Sequence, residues 1–140
     1  MLRRFLFMLL QFNWIFSVAF ATNKCVPYEP KLAQLTGIIS MITYPGPPNY
    51  ENVKAGDASE TGGYLRLTTP IDVCANSHMK DPWNTTEKQV TMVQLVIHNQ
   101  HDWRKIKNGN HVRISGTLFH QMTGHHHTRV LCEVQKIESI

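Results

Sequence analysis

The sequence predicts an all-β domain, a small five-stranded OB-like barrel, on three observations. Five apolar runs rich in β-branched residues are separated by stretches bearing Pro, Gly and Asn. No apolar 3.6-residue period is sustained beyond two turns, so little helix is expected. Glycines sit inside the first and fourth runs, Gly37 and Gly116, where strands must bend for a ring to close. A β-sandwich is the rival architecture, but it asks for about seven strands, and seven are hard to find.

The first run spans residues 35–44 (LTGIISMITY), with Gly37 as its bulge or bend. A long loop between strands 1 and 2 follows over residues 45–63, where PGPPNY and the paired Gly62-Gly63 bar regular structure. The second run, 64–69, stops at Pro70 and resumes as Ile71-Asp72-Val73-Cys74. Residues 75–88 are polar, with a turn at Asp81-Pro82. The third run is 90–98 (VTMVQLVIH). One short helical turn is expected at 102–107, before the Asn108-Gly109-Asn110 turn that leads into strand 4. The fourth run is 112–120 (VRISGTLFH) and the fifth 129–137 (RVLCEVQKI).

Residues 1–21 are expected to be a signal peptide. Arg3 and Arg4 make a positive start, residues 5–20 are largely apolar, and Ala19-Phe20-Ala21 fits an A-x-A cleavage site. Gln11 and Asn13 interrupt the apolar run, which is shorter than the ~20 residues a bilayer span needs. Residues 22–140 are then one exported domain with no stable membrane anchor after cleavage, and the expected address is the periplasm. Lys+Arg number 14 against Asp+Glu 10. Two of those arginines leave with the signal peptide, and no basic run remains to track a nucleic acid.

An oxidising compartment favours one disulfide among Cys25, Cys74 and Cys132. Cys132 lies in the apolar stretch VLCEV and suits a small buried hydrophobe. Cys25 and Cys74 are the expected pair, tying down an N-terminal tail that would otherwise fray.

The densest chemistry lies in GTLFHQMTGHHHT, residues 116–128, where four of the eight histidines fall. With Pro45-Gly46-Pro47-Pro48-Asn49-Tyr50, Gly56-Asp57, Glu60, Leu65-x-Leu67, Pro70-Ile71 and Val93-Gln94-Leu95-Val96, this block resembles the signature of an uncharacterised family. That family comprises small exported bacterial proteins and is a domain of unknown function. The resemblance spans nearly the whole of residues 22–140 and implies no activity; any OB-like fold it implies agrees with the strand count.

His120 shares parity with Val112, Ile114 and Leu118 and should continue an inward face. A hairpin could set it opposite one of His125, His126 and His127. Neutral imidazoles so placed, His120, His125 and His127 above all, would suit Zn²⁺ or Cu²⁺, with Asp57 and Glu60 as a further ligand or orienting shell. The alternatives are that these histidines pin the long loop through hydrogen bonds, or that they contact a partner. Tyr50 and Trp103 fit a contact surface, where Tyr and Trp are enriched. Catalysis finds little support. Ser40 and Ser115 lack a strand–turn–helix elbow, Asp57 and Glu60 share a loop, and nothing near Cys132 would lower its pKa. No enzyme and no cofactor are therefore expected. The leading expectation is a periplasmic module that binds or inhibits another protein, for example an immunity protein against a periplasm-acting toxin. A Zn- or Cu-binding protein is the alternative.

Overall fold

The computed structural model describes residues 25–140, so the signal peptide expected at 1–21 lies outside the described residues. Among the described residues, no helix is long and apolar enough to cross a membrane. The described residues are nearly all β: β1 (Val26–Pro27), β2 (Leu32–Pro45), β3 (Ser59–Cys74), β4 (Glu87–Val96), β5 (His111–His120) and β6 (Val130–Ser139). One short helix, α1 (Gln100–Trp103), joins β4 to β5.

The strands form one sheet whose ends meet. Antiparallel pairing links β3 to β2, β2 to β5 and β5 to β6. Parallel pairing of β4 with β6, and antiparallel pairing of β3 with β4, then close a ring of five. β1 adds a short parallel edge to β3.

Period-two patterning decides what faces the inside. In β2, Ala33, Leu35, Gly37 and Ile39 are buried while Leu32, Gln34, Thr36 and Ile38 are exposed. The same alternation in β5 buries Val112, Ile114 and Leu118. Leu65, Val73, Val93, Val130 and Cys132 complete the centre of the core, each burial contributing about 1.5–3 kcal/mol for a large aliphatic side chain. The two strand glycines are required by close backbone approach. A Cβ at Gly37 would collide with the Arg66 carbonyl, and one at Gly116 with the Glu133 carbonyl and the Cys132 sulfur. Gly116 also sits at the β5–β6 register shift, where the strand bends.

Three boundaries differ from the sequence reading, each for a physical reason. The long loop ends at Ala58 rather than Gly63, because Ser59 to Gly63 pair with Pro45 to Met41 of β2. Gly63 is tolerated there since the Ile106 side chain fills the space a side chain would need. Pro70 does not end the second strand. It falls in the register break against β4 between Arg66 and Ile71, where the ladder asks no N–H of it. The helical turn comes earlier than 102–107, because the Asn99 side chain caps it by accepting from the Asp102 amide.

Cys25 and Cys74 are disulfide-bonded and Cys132 is free and buried. Burial pushes the Cys132 thiol up to about 12, with Glu133 adding to the effect, so it stays an inert apolar filler. The disulfide closes a separation of 49 residues, and a cross-link of that span removes about 4 kcal/mol of unfolded-state entropy. Replacing both cysteines by serine should lower the urea midpoint by the equivalent of about 2–4 kcal/mol and leave the circular dichroism of the ring intact.

Candidate functional site

Two loops meet at one end of the ring. The first, residues 46–58, joins β2 to β3. The second is the tip between β5 and β6, residues 121–129, which carries the triple histidine. The tip is not a continuation of two extended strands. Gln121 N–H bonds the Arg129 carbonyl and His126 N–H bonds Thr123 O, so the segment closes as a compact turn. His120 therefore pairs across the ladder with Val130, not with His125, His126 or His127.

Gln94 sets the position of the tip. It stands in β4 at the point where β4 begins to pair with β6, opposite Leu131. Its side-chain amide donates to the His125 carbonyl at 2.9 Å, and its side-chain carbonyl accepts the His127 amide at 2.6 Å. Its own backbone N–H bonds the Thr128 hydroxyl. A single side chain thus satisfies backbone groups on both sides of His126.

Glu60, near the start of β3, then receives two rings. His125 Nδ1 donates to Glu60 Oε1 at 2.6 Å, which leaves Nε2 to accept the Tyr50 hydroxyl at 3.1 Å. This Tyr50–His125–Glu60 chain joins the 46–58 loop, the tip and β3. It fixes both the tautomer and the orientation of the ring. Tyr50 adopts a left-handed backbone (φ 59°) and lays its ring against Gly124, where any side chain would clash. His127 stacks on Tyr44 with ring centroids 4.4 Å apart and planes within 10°. Its Nε2 is buried without a hydrogen bond; the 3.5 Å approach to Glu60 Oε2 does not form one. His126 turns into the tip, where Nδ1 accepts the Met122 amide at 2.9 Å. Burial, and then the neighbouring His125 and His127, hold His126 below the ordinary histidine range, which suits a ring that must accept.

The result is a cleft of about 240 Å³ lined by Glu60, Thr61, Gly62, Tyr64, Gln94, Trp103, His125 and His127. Trp103 forms one wall with 37% of its surface exposed, and its indole N–H is fixed to the Ile97 carbonyl at 3.0 Å. Of the residues singled out in the sequence, Glu60, Trp103, His125 and His127 line this cleft, with Tyr50 behind His125.

Three others lie elsewhere. Asp57 is spent on its own loop, accepting from the amides of Asn49, Glu51 and Asn52 and from the Asn49 side chain. His126 faces the tip. His120 lies apart, with Nδ1 on the Gln121 carbonyl (3.0 Å) and Nε2 on Glu87 (3.1 Å), beside Tyr28 and Trp83. Both of its partners only accept, so the two bonds form together only when both ring nitrogens carry protons.

The structure does not bring His120, His125 and His127 together: His120 faces Glu87 and the Gln121 carbonyl, while His125 and His127 approach Glu60. Among the described residues, no three His, Cys, Asp or Glu side chains are grouped to hold an ion. The ring nitrogens of His120 and His125 are directed at carboxylate, carbonyl and hydroxyl partners rather than converging on one point.

The roles of Gln94 and Glu87 were missed by the sequence reading. Gln94 left one signal, a lone polar residue within the apolar run 93–97. Glu87 left none, since its partner His120 is 33 residues away.

Backbone N–H groups, Asn52 first and then Glu51 and Asn49, hold the Asp57 carboxyl below the usual carboxylate range. Its contribution to loop order is fully present above the unfolded carboxylate pKa near 4 and is lost as pH falls through the lowered folded value. Amide exchange at Glu51 and Asn52 should accordingly be protected at pH 6, with protection lost toward pH 2, and Asp57→Ala should be unprotected at both. Gln94→Ala should leave the ring folded and speed exchange of the His127 amide by about five- to tenfold, the equivalent of losing about 1–1.4 kcal/mol of hydrogen bonding.

Residues 92–138 match the family described as "Domain of unknown function (DUF4431)". No curated protein and no solved structure matches the chain. The matched segment runs from β4 into β6, so Gln94, α1, His120 and the whole histidine tip belong to the part of this chain that is similar to that family.

Proposed function

We propose that the chain is a small, exported, non-enzymatic binding module on an OB-like barrel, and that it holds another protein at the cleft beside the histidine tip. The observation that carries this reading is the fastening of the two loops by Tyr50, His125 and Glu60 over strands β3 and β4. Numbering the ring strands one to five from β2, their order around the ring is 1-2-3-5-4, with 3 and 5 parallel and a short helix between 3 and 4. That connectivity supports the OB-like reading. In such folds ligands lie against strands 2 and 3, between the loop joining strands 1 and 2 and the loop joining strands 4 and 5. Here those are the 46–58 loop and the histidine tip.

Protein is favoured over a small ligand because the cleft is open and walled by an exposed, immobilised indole with polar groups around it, the composition of a contact hot spot. Export is supported by the charged, apolar and A-x-A pattern of the first residues, and by a disulfide, which persists in oxidising compartments such as the periplasm. An immunity protein that neutralises a toxin in that compartment is the concrete form this reading takes.

A photo-crosslinking residue at position 61 or 103 of the exported protein, made in its own host, should give a discrete protein adduct. The same residue at position 38, which does not line the cleft, should give none. Trp103→Ala combined with His125→Ala should weaken binding of the isolated partner at least tenfold. Equal labelling from all three positions, or no protein adduct at all, would overturn the proposal.

A further inference from the structure

We infer that a second cleft, on the His120 side of the tip, is a docking surface for a partner segment that carries an apolar side chain flanked by Lys or Arg. Three large apolar side chains stand in the open there: Met79 (41% exposed), Trp83 (51%) and Met122 (56%). They come from two segments far apart in the chain, the 75–86 loop and the hairpin tip, yet they line one cleft over a floor that includes Tyr28 and Phe119.

Their exposure is enforced by local structure. The Asn84 side chain accepts from the Asn76 amide and donates to the carbonyls of Asn76 and Met79, at 2.6–2.7 Å. Asp81 accepts from the Trp83 amide at 2.9 Å. The start of the loop is tied down by the Cys25–Cys74 disulfide. A backbone held in this way presents Trp83 and Met79 from fixed positions, which lowers the cost of ordering the loop on binding. Large apolar groups fixed in the open are a mark of interaction sites.

Charge selects the occupant. Glu29 and Asp81 line the cleft, and no Lys or Arg does. His120, which also lines it, already faces Glu87 and the Gln121 carbonyl. Lys80 neighbours Asp81 in sequence but is not part of the lining. An apolar pocket with a carboxylate rim takes a hydrophobic anchor beside a cation, which can also lie over the Trp83 indole. The same two carboxylates disfavour an anionic lipid surface. This cleft is distinct from the one lined by Glu60 and Trp103, so either assignment can fail without the other.

The test uses residues 22–140 with Trp103→Phe, leaving Trp83 as the tryptophan reporter. The probes are two capped pentapeptides, acetyl-Gly-Lys-Phe-Lys-Gly-amide and its counterpart with both Lys replaced by Glu. Trp83 fluorescence and amide shifts at residues 79–84 and 119–122 should respond to the basic peptide at least tenfold more tightly than to the acidic one. Trp83→Ala should abolish the peptide-induced amide shifts, and Glu29→Gln with Asp81→Asn should remove the preference while the protein stays folded. Equal binding of the two peptides, or no shift at these residues up to millimolar peptide, overturns the inference. So does a Trp83 blue shift that appears only with phosphatidylglycerol vesicles, or shifts that depend on protein concentration alone, since these would name a lipid surface or a second copy as the occupant.

Discussion

The parallel pairing of β4 with β6 is the contact on which the rest of the arrangement depends. Parallel neighbours cannot be joined by a tight turn, so the chain must leave β4, make α1 and β5, and return through the tip before β6 can dock. That detour carries the histidine tip to the end of the ring where β2 gives way to β3. Gln94 lies at the first paired position and turns the closure into a local clamp, since the residue that meets Leu131 in the ladder also holds the backbone of the tip. Remove the closure and the tip would have neither a floor nor a fixed register.

Carboxylates divide the histidines among separate tasks. Glu60 takes His125 and approaches His127, which binds the tip to the first loop and builds one wall of a cleft. Glu87 takes His120 with a contact from Arg129, and this pairs a largely buried ring beneath Trp83. His126 keeps a free lone pair for the Met122 amide. Four histidines crowded in sequence are thus dispersed in space. The tip works as a partition, with a polar cleft walled by Trp103 on one side and an apolar cleft rimmed by acid on the other.

The strand pattern was legible because it is local. Alternation in residues 32–39 and 112–118 marks which side chains go in, and the two strand glycines are needed where backbones touch. Where reading by segment went astray, the deciding partner was distant. Gly62 and Gly63 look like loop until β2 pairs with them, and Pro70 looks like a terminator until the ladder breaks beside it. The histidine parity argument assumed that the strands run on through the tip. The Gln121–Arg129 and Thr123–His126 bonds end them instead.

The amino-acid order by itself determined the β-rich character, the five runs that make the ring, the inward faces of its strands and the choice of Cys132 as the buried thiol. Each of these follows from periodicity or from residue type, which act over a few neighbours. Only the tertiary structure decided which carboxylate each histidine meets, that Asp57 serves its own loop, and that Glu60 and Trp103 share a cleft. The contacts that make the site span 31 to 75 residues of chain. Separations of that order are set by which strands pair to close the ring, and no local pattern encodes that.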